Sequence, residues 1–263
     1  MPRQKLSVLI SVILMLVFSA IAIVTMQLAC DKPAPTSEDA AETPPPVTTA
    51  EPTPTPAPTP ESTAEEKTYI DKLIFIGDST TYGLKYYGVL SDGKSTTQVW
   101  TPSSGTLALF NQSFATIVYP KTGTEIPITD AVADAQPEYV VLTLGVNGVS
   151  MMNEERFKAD YTDLVQRIQS VSPDTKIICN SIYPVESKYE NGGHGITNAK
   201  IDAANEWIKS IAADTGTYFT DSASVLKGED GCLVPDYGNG DGLHLTGEAF
   251  TTVMQYIRTH AWQ

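Results

Sequence analysis

Ser79 stands where the apolar run of LIFIGDSTTYGL, residues 73–84, gives way to polar residues. A serine leaving a buried strand and starting a helix meets unpaired backbone N–H groups and the positive end of the helix dipole. Both favour developing negative charge, so the position suits a nucleophile. The alternative is a helix cap, a role for which Ser and Asp are favoured. Far along the chain, NGDGLHLT (239–246) sets Asp241 three residues before His244. That spacing lets a carboxylate accept from one imidazole nitrogen while the other faces outward as a base. Taken alone, the pair also reads as a turn with a surface imidazole.

Two further stretches could hold an oxyanion. LGVNGV (144–149) offers the amide of Asn147 behind Gly145, or only an Asn-Gly turn. YPKTGTEI (119–126) offers the N–H of Gly123, with Gly105 of TPSSGTL (101–107) as a competitor. Gly123 is preferred because it follows an apolar run and precedes a helical one. Metal chemistry has little to work with: His194, His244 and His260 are the only imidazoles, and no CxxC is present. His194 lies in ENGGHGIT (190–197), which reads as a glycine-rich surface loop.

The elements that must position these residues are legible in the patterning. Short runs rich in β-branched residues predict strands at 73–77, 115–119, 139–145, 176–183 and 217–221. Between them, Phe157, Tyr161, Leu164, Val165 and Ile168 form the apolar stripe of a helix over 154–171, and 196–213 and 247–260 read similarly. Continuous apolar strands alternating with helices imply one three-layer α/β/α domain around a parallel sheet of about five strands. Ligands in such sheets bind beyond the carboxyl ends of the strands, which is where Ser79, Gly123 and Asn147 fall.

Taken in order, the GDS of 77–79, Gly123, the GVN of 145–147 and the DGLH of 241–244 resemble the blocks of the SGNH, or GDSL-type, hydrolases over residues 73–258. The resemblance implies a flavodoxin-like sheet and serine esterase chemistry through an acyl-enzyme without a cofactor. By position, Ser79 would be the nucleophile, His244 the base and Asp241 its orienting partner. The N–H groups of Ser79 and Gly123 and the side chain of Asn147 would form the oxyanion hole. Thr80 replaces the usual Leu of the first block and Gly148 a frequent Asp, and neither change removes a catalytic atom. The GVNG form also resembles surface O-acetyltransferases of that family. Two fingerprints fail: position 80 is not the second Asp of a haloacid-dehalogenase site, and Thr81 stands where a G-x-S-x-G elbow needs Gly.

The chain has 263 residues and a formal charge of −14, with 14 cations against 23 anions from Lys67 onward. That balance leaves no basic surface for nucleic acid. Leu6–Ala29 carries no charge and follows Arg3 and Lys5, long enough to span a bilayer with the N-terminus in the cytoplasm. A signal anchor in residues 1–30 is the favoured reading; cleavage at Ala20-Ile21-Ala22 or lipidation of Cys30 are the alternatives. Residues 31–66 hold 10 of the 18 prolines and form a disordered tether that could reach on the order of 100 Å. The catalytic domain is then 67–263, on the extracellular side of the membrane. The expected partners are a small acyl ester or acylated glycan and the membrane; no oligomeric state follows. A non-catalytic glycan-binding module is the rival of a different class, with Trp100, Tyr86 and Tyr87 as its platform, although aromatic residues more often serve a core. Cys179 and Cys232 are either free thiols or a disulfide.

Overall fold

The computed structural model describes residues 64–262. Its main sheet has five parallel strands, β1 (Leu73–Gly77), β2 (Val99–Trp100), β5 (Tyr139–Thr143), β6 (Lys176–Asn180) and β7 (Tyr218–Thr220), in the order β2-β1-β5-β6-β7. As a separate sheet, β3 (Thr116–Tyr119) and β4 (Thr124–Pro127) make an antiparallel hairpin beside the end of β2, where Val118 N donates to Thr101 O at 2.9 Å. With the hairpin left out, the order is the flavodoxin-like 2-1-3-4-5, which reverses direction beside β1. The reversal puts the carboxyl ends of β1 and β5, paired from Leu73↔Tyr139 to Gly77↔Thr143, side by side.

Alternate residues of each strand feed two cores. Ile76, Val140, Leu142, Ile177 and Cys179 face α4 (Glu154–Val171), α6 (Asn198–Thr215) and α3 (Ile128–Ala135); the one-turn α5 (Ser187–Glu190) lies between α4 and α6 in the chain. On the other side, Leu73, Phe75, Val141 and Ile178 meet α1 (Ala64–Asp71), α2 (Ser79–Tyr86) and α7 (Gly247–Thr259). The predicted stripe of α4 is wholly buried, each of Phe157, Tyr161, Leu164, Val165 and Ile168 at 0% exposure. By area transfer such a side chain contributes about 1.5–3 kcal/mol, an upper estimate. Local caps fix the helix starts: Asn153 accepts from Arg156 N at 3.0 Å, and Thr197 and Thr246 do the same for α6 and α7.

Three expectations are corrected. The run at 115–119 is a strand, but of the hairpin rather than the parallel sheet; the sheet edge is taken by β2, whose two residues are too short to carry a pattern. Trp100 is only 3% exposed and stacks edge-on to Tyr119, so it belongs to the core and not to a surface platform. Finally, α1 begins at Ala64, so the last residues of the expected tether are helical. Cys179 and Cys232 are free thiols, and burial pushes the Cys179 thiol up to about 11. Among the described residues no helix is long and apolar enough to cross a membrane, and the run Leu6–Ala29 lies outside them.

Candidate active site

Ser79 is the first residue of α2, directly beyond β1. The cap of that helix is Asp78, whose Oδ1 accepts from Thr80 N at 2.9 Å and from Thr80 Oγ1 at 2.7 Å. The capping alternative for Ser79 is therefore filled by its neighbour, and the serine hydroxyl is left for another partner. As the first helical residue, Ser79 has an N–H without an intrahelical acceptor, pointing with the helix dipole toward the strand end. The turn is tight because of Gly77: a Cβ there would lie 2.0 Å from Thr81 Oγ1 and 2.4 Å from the backbone oxygen of Thr143.

His244 arrives from the long segment between β7 and α7. A bridge between Gly238 and Leu245 and a bond from Asn239 N to His244 O at 2.9 Å close residues 239–244 into a compact loop. Asp241 organises it with one oxygen, Oδ1, which accepts from Leu243 N at 2.8 Å and His244 N at 2.9 Å. Its other oxygen, Oδ2, lies 2.7 Å from His244 Nδ1. Partial burial pulls the Asp241 carboxyl upward, but these hydrogen bonds outweigh it and hold the group below the usual carboxylate value. An ionised carboxylate only accepts, so Nδ1 carries the proton and Nε2 is the acceptor. Nε2 lies 2.9 Å from Ser79 Oγ, which donates to it.

The base loop rests on supports that the sequence did not advertise. Two asparagines of α6 each clamp a backbone unit after β6. Asn205 bonds the N and O of Ile182 at 2.7 and 3.0 Å, and Asn198 those of Val185 at 3.0 and 2.9 Å. One residue on, Glu186 N donates to Gly242 O at 2.8 Å, joining this segment to the loop that carries Asp241 and His244. Their signal in the sequence was two Asn on the apolar face of a helix, where a side chain must find hydrogen bonds when buried.

Asn147 sits in the turn after β5, with Gly148 N and Val149 N both donating to Gly145 O. Gly145 has φ of 132°, and a Cβ there would strike Ile182 and Phe157. The Asn147 amide donates to Leu107 O at 3.2 Å, which leaves one hydrogen for a ligand. The assignment of Gly123 to the oxyanion hole is corrected. Gly123 lies exposed in the β3–β4 turn, which is not part of the parallel sheet, and its N–H donates to Tyr119 O at 2.8 Å. Gly105, the competitor, is committed to Pro102 O, also at 2.8 Å. His194 stacks on Tyr189 with ring centroids 4.4 Å apart.

Asp78 is 1% exposed, and burial pushes its carboxyl up to about 6 against the hydrogen bonds from Thr80. A cavity of about 450 Å³ opens beside Ser79 and His244. A larger one, about 600 Å³, lies along β7 and holds no nucleophile paired with a base.

The arrangement is that of a hydroxyl whose proton can pass to a carboxylate-held imidazole at the end of a helix. Residues 75–250 match the model of the GDSL-like lipase/acylhydrolase family. No curated protein matches the chain. Among solved structures, a GDSL-like lipase from Bacteroides thetaiotaomicron is 18% identical with a TM-score of 0.53, over 77% of this chain and 91% of that one. An acetyl xylan esterase is 19% identical with a TM-score of 0.52, over 72% and 99%. The periplasmic domain of a lipopolysaccharide acetyltransferase from Salmonella ser. Paratyphi A is 19% identical with a TM-score of 0.50, over 72% and 83%. At these identities the likeness shows the fold, whereas the family match takes in both the strand-end serine and the aspartate–histidine loop: the chain belongs to the GDSL-like lipase/acylhydrolase family.

Proposed function

We propose that the protein is a serine esterase that removes small acyl groups, with Ser79 as nucleophile, His244 as general base and Asp241 as its orienting partner. The observation that carries this reading is the continuous chain Ser79 Oγ to His244 Nε2 at 2.9 Å and His244 Nδ1 to Asp241 at 2.7 Å. His244 takes the hydroxyl proton as Oγ bonds to the acyl carbon, and Asp241 stabilises the imidazolium that forms. The carbonyl oxygen becomes an oxyanion facing the Ser79 N–H and the spare hydrogen of Asn147. On collapse, His244 returns the proton to the departing alkoxide and the acyl-enzyme remains. Water, deprotonated by the same imidazole, then releases the acid and restores the serine.

The same reading places the domain outside the cytoplasm, held to the membrane by the segment around Leu6–Ala29 and the proline-rich tether, with acylated glycans of the cell surface as its substrates. Support comes from the uncharged run behind two cations and from the length of the tether. A fluorophosphonate probe tests the nucleophile: it is expected to label Ser79 in the wild type and nothing in Ser79→Ala. Labelling at another residue, or none, overturns the assignment.

A further inference from the structure

We infer that the cavity beside Ser79 is the subsite for the sugar ring of an acylated carbohydrate, with Tyr82 and Tyr86 as its stacking surface. The inference rests on the esterase reading for its orientation. His244 must protonate the leaving oxygen, so the alcohol half of the ester starts at the imidazole, and the imidazole is a wall of this cavity. From the imidazole the cavity runs on to Tyr82, Tyr86 and Asn239, on the side from which the alcohol must leave.

The lining mixes aromatic rings with hydroxyl and amide groups. Its floor is plugged where the Phe250 ring presses on Gly83, at which a Cβ would lie 2.3 Å from Phe250 Cζ. Tyr87 closes the neighbouring gap against Gly247, with 3.3 Å to a Cβ placed there. Around the mouth, Tyr82 and Tyr86 lie one turn apart on the same face of α2 and remain 43% and 57% exposed. Lys94 Nζ, 5.3 Å from the centre of the Tyr86 ring, and the edge-on ring of Tyr87 at 4.9 Å hold Tyr86 in position.

Exposed rings with hydroxyl tips suit a ligand that offers both apolar C–H faces and hydroxyls, which is the surface of a sugar. Asn239 adds a polar contact on the rim. Its Oδ1 accepts from Asp241 N at 3.1 Å, so its amide hydrogens are left for a ligand oxygen.

The test is calorimetric titration of the full-length Ser79→Ala chain, which cannot turn over substrate, with partially O-acetylated xylotriose and with hexyl acetate. The subsite predicts that adding Tyr82→Ala and Tyr86→Ala weakens the sugar ester about 10-fold, while Tyr82→Phe with Tyr86→Phe keeps affinity within about 3-fold. Hexyl acetate should bind more weakly than the sugar ester. Equal binding by the alanine variant, no sugar binding at all, or a preference for hexyl acetate would overturn the subsite. The esterase reading fails separately: it is the Ser79-intact chain that must hydrolyse the ester, whatever the tyrosines do to binding.

Discussion

Ser79 Oγ and His244 Nε2 lie 2.9 Å apart although 165 positions separate them in the chain. Two independent devices bring them together. The Asp78 cap frees the serine hydroxyl from its own helix, and the clamps from Asn198 and Asn205 set the backbone on which the histidine loop rests.

Asp241→Asn should separate orientation from folding. An Asn oxygen can keep the two backbone bonds now made by Oδ1, but the side chain no longer carries the charge that stabilises an imidazolium. We expect kcat to fall about 10⁴-fold with the melting temperature changed by only a few degrees. Steady-state kinetics with thermal unfolding checks this; retention of kcat within about 10-fold would remove Asp241 from the relay.

Asn147 has a structural bond and a proposed catalytic one, and its replacement distinguishes them. For Asn147→Ala the expected result is a kcat lower by about 10²–10³ with little change in KM, the signature of a transition-state donor. If the side chain only ties down Leu107, the melting temperature will drop while kcat holds.

The buried Asp78 carboxyl gives a pH-dependent stability of defined sign. Its value is raised from 3.8 to about 6, so between those limits the folded state binds more protons than the unfolded one. Stability from this group is therefore present at low pH and lost as pH rises through the folded value. Replacement by Asn removes the titration. Compared with wild type, the unfolding free energy of Asp78→Asn should rise by about 3 kcal/mol between pH 3 and pH 8, whatever its constant offset. Urea denaturation at a series of pH values reads this directly, and a flat difference would contradict it.

Gly77→Ala tests the turn that delivers the serine. The added methyl meets the backbone oxygen of Thr143 at 2.4 Å, an atom that cannot swing aside. A loss of about 3 kcal/mol or more is expected, together with reduced activity. Stability within about 1 kcal/mol of wild type would mean that the end of β1 yields more easily than its packing indicates.

Much of this architecture was visible in the sequence because its signals are local. The strand runs, the α4 stripe and the Asp-x-x-His spacing are each local; the stripe and the spacing stand at the expected residues, while the strands expected over 139–145 and 176–183 end at Thr143 and Asn180. What escaped depended on partners distant in sequence. The two-residue β2 exists because β1 offers it an edge, and its brevity let the longer 115–119 run be taken for a sheet strand. Gly123 misled for the same reason: a glycine between a strand and a helix suits an oxyanion site, yet hairpin pairing with β4 committed its N–H elsewhere. The tyrosine platform was half legible. The core reading of these aromatics holds for Trp100, whereas Tyr86 and Tyr87 are exposed; the part of Tyr82 is visible only from the placement of α2 at the cavity mouth, which shows what its outer face meets.

Hydrolysis of 4-nitrophenyl acetate by the purified full-length chain, wild type against Ser79→Ala, tests the central claim most directly. Turnover by the wild type with a loss of about 10⁴-fold or more in the variant is the expected result. Activity in Ser79→Ala within about 10-fold of wild type would contradict the assignment of Ser79 as nucleophile.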